Sequence, residues 1–354
     1  MDKIKKLPSK KEDKKSSPMP TTDLPEVLIT NTNVKDTNNI NIVLGSYEGK
    51  IFCLDFNIIT SMIKTYSFKV SENCLKTIIN SDKHIFTSGN DEIIHIYDLD
   101  NREEKGLVLT YNGSISKIVK FNDFLFVGGD SHTIGIWRMT DFSNIICLKG
   151  HKGQINDFIL HNNGKVLISV SKDNFFFIWN TTDGKPILKY NLKKNCNKLL
   201  FGKKQNSAYL IFETEVWLIK LNTKSNDFNE WIVKKQIFDK KIMDCVYTKD
   251  CLFVFHQYGD VKVYPNFATQ DTCVELKLEM PDAKEDEEIR VKIVNFLKHD
   301  KLKILFIVFS NNEIILYDMV KAVKNLNDSK VLEKFRVIKL ISNERITCIT
   351  SFIK

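Results

Sequence analysis

The chain has 354 residues, a formal net charge of +8, 43% hydrophobic residues and 11% aromatic ones. That balance places it among globular proteins able to bury a large core and away from low-complexity or disordered chains. Its apolar runs are only strand-length, which excludes a membrane-crossing helix, and its eight cysteines contain no CxxC spacing, so they read as buried reduced thiols rather than metal ligands or disulfides.

Residues 1–15 carry Lys3, Lys5, Lys6, Lys10, Lys11, Lys14 and Lys15 against Asp2, Glu12 and Asp13, about half of the net charge. Ser16, Ser17, Pro18 and Pro20 follow. Without hydrophobic periodicity, residues 1–23 are expected to be a disordered basic tail, and with no apolar stretch behind the charges no signal peptide is expected. The lysines suit a nuclear-targeting signal or an RNA-contacting arm, and equally a solubilising terminus.

From residue 41 onward, short strand pairs end on an apolar or aromatic anchor at a nearly constant interval. The anchors are Leu54, Tyr97, Trp137, Trp179, Ile219, Tyr264 and Tyr317, spaced by 43, 40, 42, 40, 45 and 53 residues. The first unit reads Leu44-Gly45-Ser46-Tyr47-Glu48-Gly49 and then Ile51-Phe52-Cys53-Leu54. The second has Ser88-Gly89-Asn90-Asp91 and Ile94-His95-Ile96-Tyr97-Asp98; the third has Gly128-Gly129-Asp130 and Ile134-Gly135-Ile136-Trp137. The fourth is the most complete, from Gly150-His151 through Val166–Ser171 and the turn Lys172-Asp173-Asn174 to Phe177-Ile178-Trp179-Asn180. The fifth and sixth keep little beyond alternating strands, and in the fifth Ile219 fits the anchor spacing better than Trp217. An acidic loop, 281–290, separates the sixth from the seventh, which ends Leu316-Tyr317-Asp318.

Such a period is that of a propeller blade. The predicted fold is all-β, a seven-bladed propeller spanning residues 24–354. The first unit lacks a first strand and residues 346–352 form a strand with no blade after it, so the C-terminal strand is expected to complete the N-terminal blade and remove two open sheet edges.

The fourth unit resembles the WD40 consensus, with Asn180 replacing the final Asp. That resemblance implies a buried network in which His151 bridges Asp173 and a strand hydroxyl, Ser169 or Ser171, under Trp179. The same residues could be mistaken for a Ser-His-Asp triad. No nucleophile-elbow signature accompanies them, and the chain has no P-loop or HExxH pattern, so no catalytic site, metal or cofactor is expected.

Several stretches together carry a narrower likeness. They are Gly45–Gly49, Ser88–Leu99, Gly113-Ser114-Ile115, Cys147–Gln154, Asn191–Asn195 and Arg345-Ile346-Thr347-Cys348. On these the chain resembles the WD40 family of the p21-activated-kinase-interacting protein, whose fungal members act in assembly of the large ribosomal subunit. A lysine-rich C-terminal extension common in that family is absent from these 354 residues, and the basic run is N-terminal instead. The resemblance implies a non-enzymatic, nuclear and nucleolar scaffold in 60S biogenesis. Its partners would be proteins of the pre-60S particle, with pre-ribosomal RNA and a protein kinase as further candidates, and neither a membrane nor a second copy of the chain. The alternative reading is a signalling adaptor that binds and inhibits a p21-activated-type kinase. A ubiquitin-ligase receptor would prefer Trp-Asp-x-Arg at a blade end, where this chain has Trp137-Arg138-Met139-Thr140.

The loops before each blade and the turns after its second strand open onto one propeller face. Lys152, Lys172, Lys193 and Lys194 fall in such segments, as do Tyr47 and Tyr258, and they are the candidate partner-binding residues against the alternative of ordinary solvated side chains.

Overall fold

The computed structural model describes residues 39–57, 63–81, 84–98, 101, 103–110, 113–221, 227–248, 251–270, 272–281, 288–299, 302–319, 331–332, 334–339 and 344–353. The basic segment 1–23, with Lys3, Lys5, Lys6, Lys10, Lys11, Lys14 and Lys15, lies outside the described residues, as do positions 282–287 of the acidic loop.

Seven sheets follow one another, each a blade of strands paired in antiparallel order. Blades 2 to 5 each use four consecutive strands; blade 4, for example, comprises Ile155–Leu160, Val166–Ser171, Phe175–Asn180 and Pro186–Asn191. Between its third and fourth strands blade 7 lends Val331–Leu332 to the outer edge of blade 6, where they pair in parallel. Blade 1 takes its first strand from the far end of the chain: Ile346–Ile353 pairs with Asn39–Ser46 from Ile40↔Ile353 to Ser46↔Ile346. The closure expected from the two incomplete ends is therefore present, and both sheet edges are paired.

First strands of successive blades adjoin all the way round, so they line a central channel. The core is correspondingly divided into seven apolar slabs, each between two neighbouring blades. Between blades 3 and 4, Phe126 and Ile136 meet Phe158 and Trp179. A strand between two slabs is apolar on both faces, as in Ile304–Phe309, every residue of which is buried.

The anchor spacing has a geometric cause. Tyr97, Trp137, Trp179, Ile219 and Tyr317 each sit where the third strand slips register against the fourth. Such a bulge bends and twists the outer strand, and a buried side chain there fills the space the bend opens. Ile219 is fully buried at this point in blade 5. Trp217, two residues earlier, packs instead under Lys235, whose ammonium lies 3.9 Å from the ring centre, and donates its indole N–H to Glu215 at 3.0 Å.

Candidate partner-binding face

One face is organised by a repeated backbone bond between the turn after the second strand and the loop leading into the same blade. Tyr47, Asn90, Asp130, Lys172 and Ser310 donate their N–H to the carbonyls of Arg345, Cys74, Ser114, Gln154 and Arg290. These turns share a left-handed residue, with φ of 79° at Gly49, 59° at Glu92, 64° at His132, 64° at Asn174 and 63° at Asn312. Gly and Asn accept that conformation readily, while Glu92 is an unfavourable choice.

Blade 4 fastens its turn with side chains. His151 Nδ1–H donates to Asp173 at 3.0 Å, leaving Nε2 to accept from the Ser169 hydroxyl at 2.8 Å. Ser169 Oγ in turn accepts the Trp179 indole N–H at 2.8 Å. Burial holds His151 below its ordinary pKa against the pull of Asp173, consistent with a neutral ring. Asp173 is kept low, its burial outweighed by the Lys152 and Phe175 amides and by His151. Ser171 takes no part in this chain; its hydroxyl donates to the Gly153 carbonyl at 2.7 Å. Ser169 is completely buried, so its hydroxyl meets no solvent-borne substrate.

Blade 2 uses the same turn carboxylate with the roles exchanged. Ser71 stands where blade 4 has His151 and donates to Asp91 at 2.6 Å. The histidine comes from the third strand, where blade 4 has Phe177: His95 bonds Asp91 through Nε2 at 2.9 Å and Glu104 through Nδ1 at 3.4 Å. Burial alone would lower His95, but the two carboxylates outweigh it and raise its pKa. In blade 3, Val127 occupies the position of Ser169, and among the described residues the buried Trp137 indole N–H has no acceptor.

The channel wall carries a second set of bonds that the sequence reading did not find. Lys117, Asp157, Lys198 and Asp244 occupy the same first-strand position in blades 3, 4, 5 and 6. Lys117 pairs with Asp157, and Lys198 with Asp244. Asp157 also accepts the backbone N–H of Phe158 at 2.9 Å and of Leu199 at 2.7 Å, so one buried carboxylate joins three blades. Burial would lower Lys198, but Asp244, with a smaller contribution from Asp157, raises it. The partners lie 40 and 46 residues apart, and only an alignment of one blade upon the next would have matched them.

The candidate binding residues all reach the ordered face, but they do not form one patch. Lys152, Lys172, Lys193 and Lys194 are exposed around blade 4 and the loop into blade 5, while Tyr47, 57% exposed, stands on blade 1, three blades away. Lys194 is held by Glu215 at 2.5 Å beside a groove of about 430 Å³ that also exposes Glu213. Tyr258, on blade 6, directs its hydroxyl towards Glu288 at 3.5 Å. The eight cysteines are free thiols; burial raises Cys196 and Cys245 and pushes Cys348 up to about 12. Among the described residues no group of His, Cys, Asp or Glu is placed to hold a metal ion, and no helix is long and apolar enough to cross a membrane.

Residues 142–180, the span that ends with blade 4's third strand, match the family described as WD domain, G-beta repeat. The chain is a seven-bladed β-propeller that carries a WD40 repeat at residues 142–180. A chain in the crystal structure of the mitotic checkpoint complex shares this fold, with a TM-score of 0.65 at 14% identity over 87% of this chain and 95% of that one. In sequence, the chain is similar to Protein MAK11 of Saccharomyces cerevisiae, 26% identical over 81% of this chain and 79% of the relative. It is also similar to the p21-activated protein kinase-interacting protein 1-like of Danio rerio, 25% identical over 74% of this chain and 69% of the relative. The narrower likeness read from the sequence thus holds as a similarity to these relatives.

Proposed function

We propose that this WD-repeat scaffold acts in biogenesis of the large ribosomal subunit, in the nucleus and nucleolus, where it docks proteins of the precursor particle and contacts pre-ribosomal RNA. The observation that carries the reading is the similarity to MAK11 over four-fifths of both chains, joined to a family resemblance whose fungal members work in that assembly. The physical form suits the role. A ring with seven apolar slabs is a rigid platform, and its ordered face offers exposed Lys152, Lys172, Lys193, Lys194, Tyr47 and Tyr258. In this role His151, Ser169, Asp173 and Trp179 act as internal fasteners of blade 4, and the lysines of residues 1–15 act as the nuclear-targeting segment.

A second reading, an adaptor that restrains a p21-activated-type kinase, is favoured by the kinase-interacting relative. Affinity purification of the tagged chain at moderate salt separates the two. Recovery of large-subunit proteins and assembly factors supports the first reading. Recovery of a kinase without ribosomal material overturns it.

A further inference from the structure

Blades 7, 1 and 2 bring an unbalanced group of cations to the channel mouth. The first strands of these blades are each bulged near their start, and the bulge positions hold Lys292, Thr347 and Lys76. Two residues earlier stand Arg290, Arg345 and Cys74. Thr347 locks the sector by sharing its hydroxyl between the carbonyls of Gly45 and Leu75. The Arg345 carbonyl accepts the Tyr47 N–H at 2.8 Å, which fixes an exposed phenol beside the cations.

The charges are unevenly satisfied. Arg290 takes Glu288 at 2.9 Å, and Lys76 donates to the Ser114 hydroxyl at 2.6 Å. Among the described residues neither Lys292 nor Arg345 forms an ion pair. Lys292 is half-buried, and burial and then the nearby Arg345 cation hold its ammonium below the usual lysine range, with Glu48 a weaker opposing influence. Two like charges crowded at a partly desolvated mouth are relieved by an anion between them.

The surroundings choose the kind of anion. Nucleic-acid affinity grows with the number of phosphates neutralised, and among the described residues this sector offers two cations outside ion pairs, with Lys76 beside them. Glu48 and Glu288 flank it, and Glu344, bonded to Ser46 and paired with Lys50, adds another carboxylate. A long phosphate backbone would meet these carboxylates, whereas a short peptide could place one or two acidic side chains between them. The Tyr47 ring offers such a peptide an apolar surface. We propose that the channel mouth at blades 7, 1 and 2 receives a short acidic segment of a protein partner, its carboxylates meeting Lys292 and Arg345 beside Tyr47.

This inference stands apart from the ribosomal reading, because it is tested on the isolated full chain. Two fluorescein-labelled probes, an oligo-Glu peptide and an oligo-uridine RNA each of about eight units, are titrated at moderate salt and followed by anisotropy. Lys292→Ala with Arg345→Ala should weaken the peptide about tenfold, a loss of about 1.4 kcal/mol. Arg345→Ala alone, at an exposed position that spares the fold, should weaken it about threefold. Lys152→Ala with Lys172→Ala should leave it unchanged. Equal peptide affinity in the two double variants, or no peptide binding by the intact chain, overturns the proposal. So does a result in which the RNA, rather than the peptide, is what the Lys292 and Arg345 variants lose.

Discussion

Replacing Asp157 by Ala removes a single buried carboxylate that serves three blades. Its loss strands the Leu199 N–H from a 2.7 Å bond and the Phe158 N–H from a 2.9 Å bond, and leaves Lys117 without its partner. An unsatisfied buried donor costs about 1–3 kcal/mol. Lys117, whose side chain is 29% exposed, can turn partly to water, so its share is small. The two amides alone predict a loss of about 2–6 kcal/mol, and partial hydration of the channel wall places the expected value near the middle, about 3–4 kcal/mol. Asp157→Asn keeps one acceptor oxygen and should lose roughly half as much. Urea denaturation of both variants, followed by tryptophan fluorescence and far-UV circular dichroism, measures the change in midpoint at constant slope. A loss under about 1 kcal/mol for Asp157→Ala would show that the carboxylate does not join the blades as described.

The two buried histidines should move stability in opposite pH directions. His95 is raised above its ordinary value of 6.5 in the fold, so its contribution is full below about that pH and fades as pH rises through the folded value. His151 is lowered, so the fold loses stability as pH falls below 6.5 and the unfolded chain takes up the proton more readily. Melting temperatures from pH 5 to 8 should show that His95→Gln loses the decline on the alkaline side and His151→Gln the decline on the acid side; parallel profiles for both would contradict these charge states. Val127→Thr places a hydroxyl where blade 4 has Ser169 and gives the Trp137 N–H an acceptor, so it should change stability by less than about 1 kcal/mol, whereas Val170→Thr, at a fully buried site of blade 4, should cost about 1–3 kcal/mol. Chemical denaturation that finds equal costs would reject the assignment. Glu92→Gly relieves a left-handed residue and should stabilise by about 0.5–1 kcal/mol, and a lower denaturation midpoint would argue against strain there.

The period and the closure were legible because they are written in large buried side chains at fixed intervals. Leu54, Trp179 and Tyr317 fill the same site in their blades, and residues 346–352 had no other sheet to join. Ile219 was readable over Trp217 for the same reason, since the bulge falls where the spacing says. The polar networks were only partly legible. Blade 4 repeats the consensus in order, yet which of Ser169 and Ser171 bonds His151 depends on register, and the structure gives Ser169. In blade 2 the histidine moved to the third strand, so His95 looked like an ordinary strand residue. The pairs Lys117–Asp157 and Lys198–Asp244 lie across blade boundaries, where local pattern carries no signal. The candidate lysines and tyrosines stand exposed on loops and turns, but the ring separates Tyr47 from the blade 4 lysines, and Lys292 and Arg345, without an ion pair among the described residues, came from strand starts that looked unremarkable.

Sucrose-gradient sedimentation of the tagged chain, read together with the position of large-subunit precursors, tests the proposed role most directly. The chain should migrate with those precursors and return to the light fractions when ribosomal RNA synthesis is stopped. Migration as a free protein, or with a kinase complex and no precursor, would contradict it.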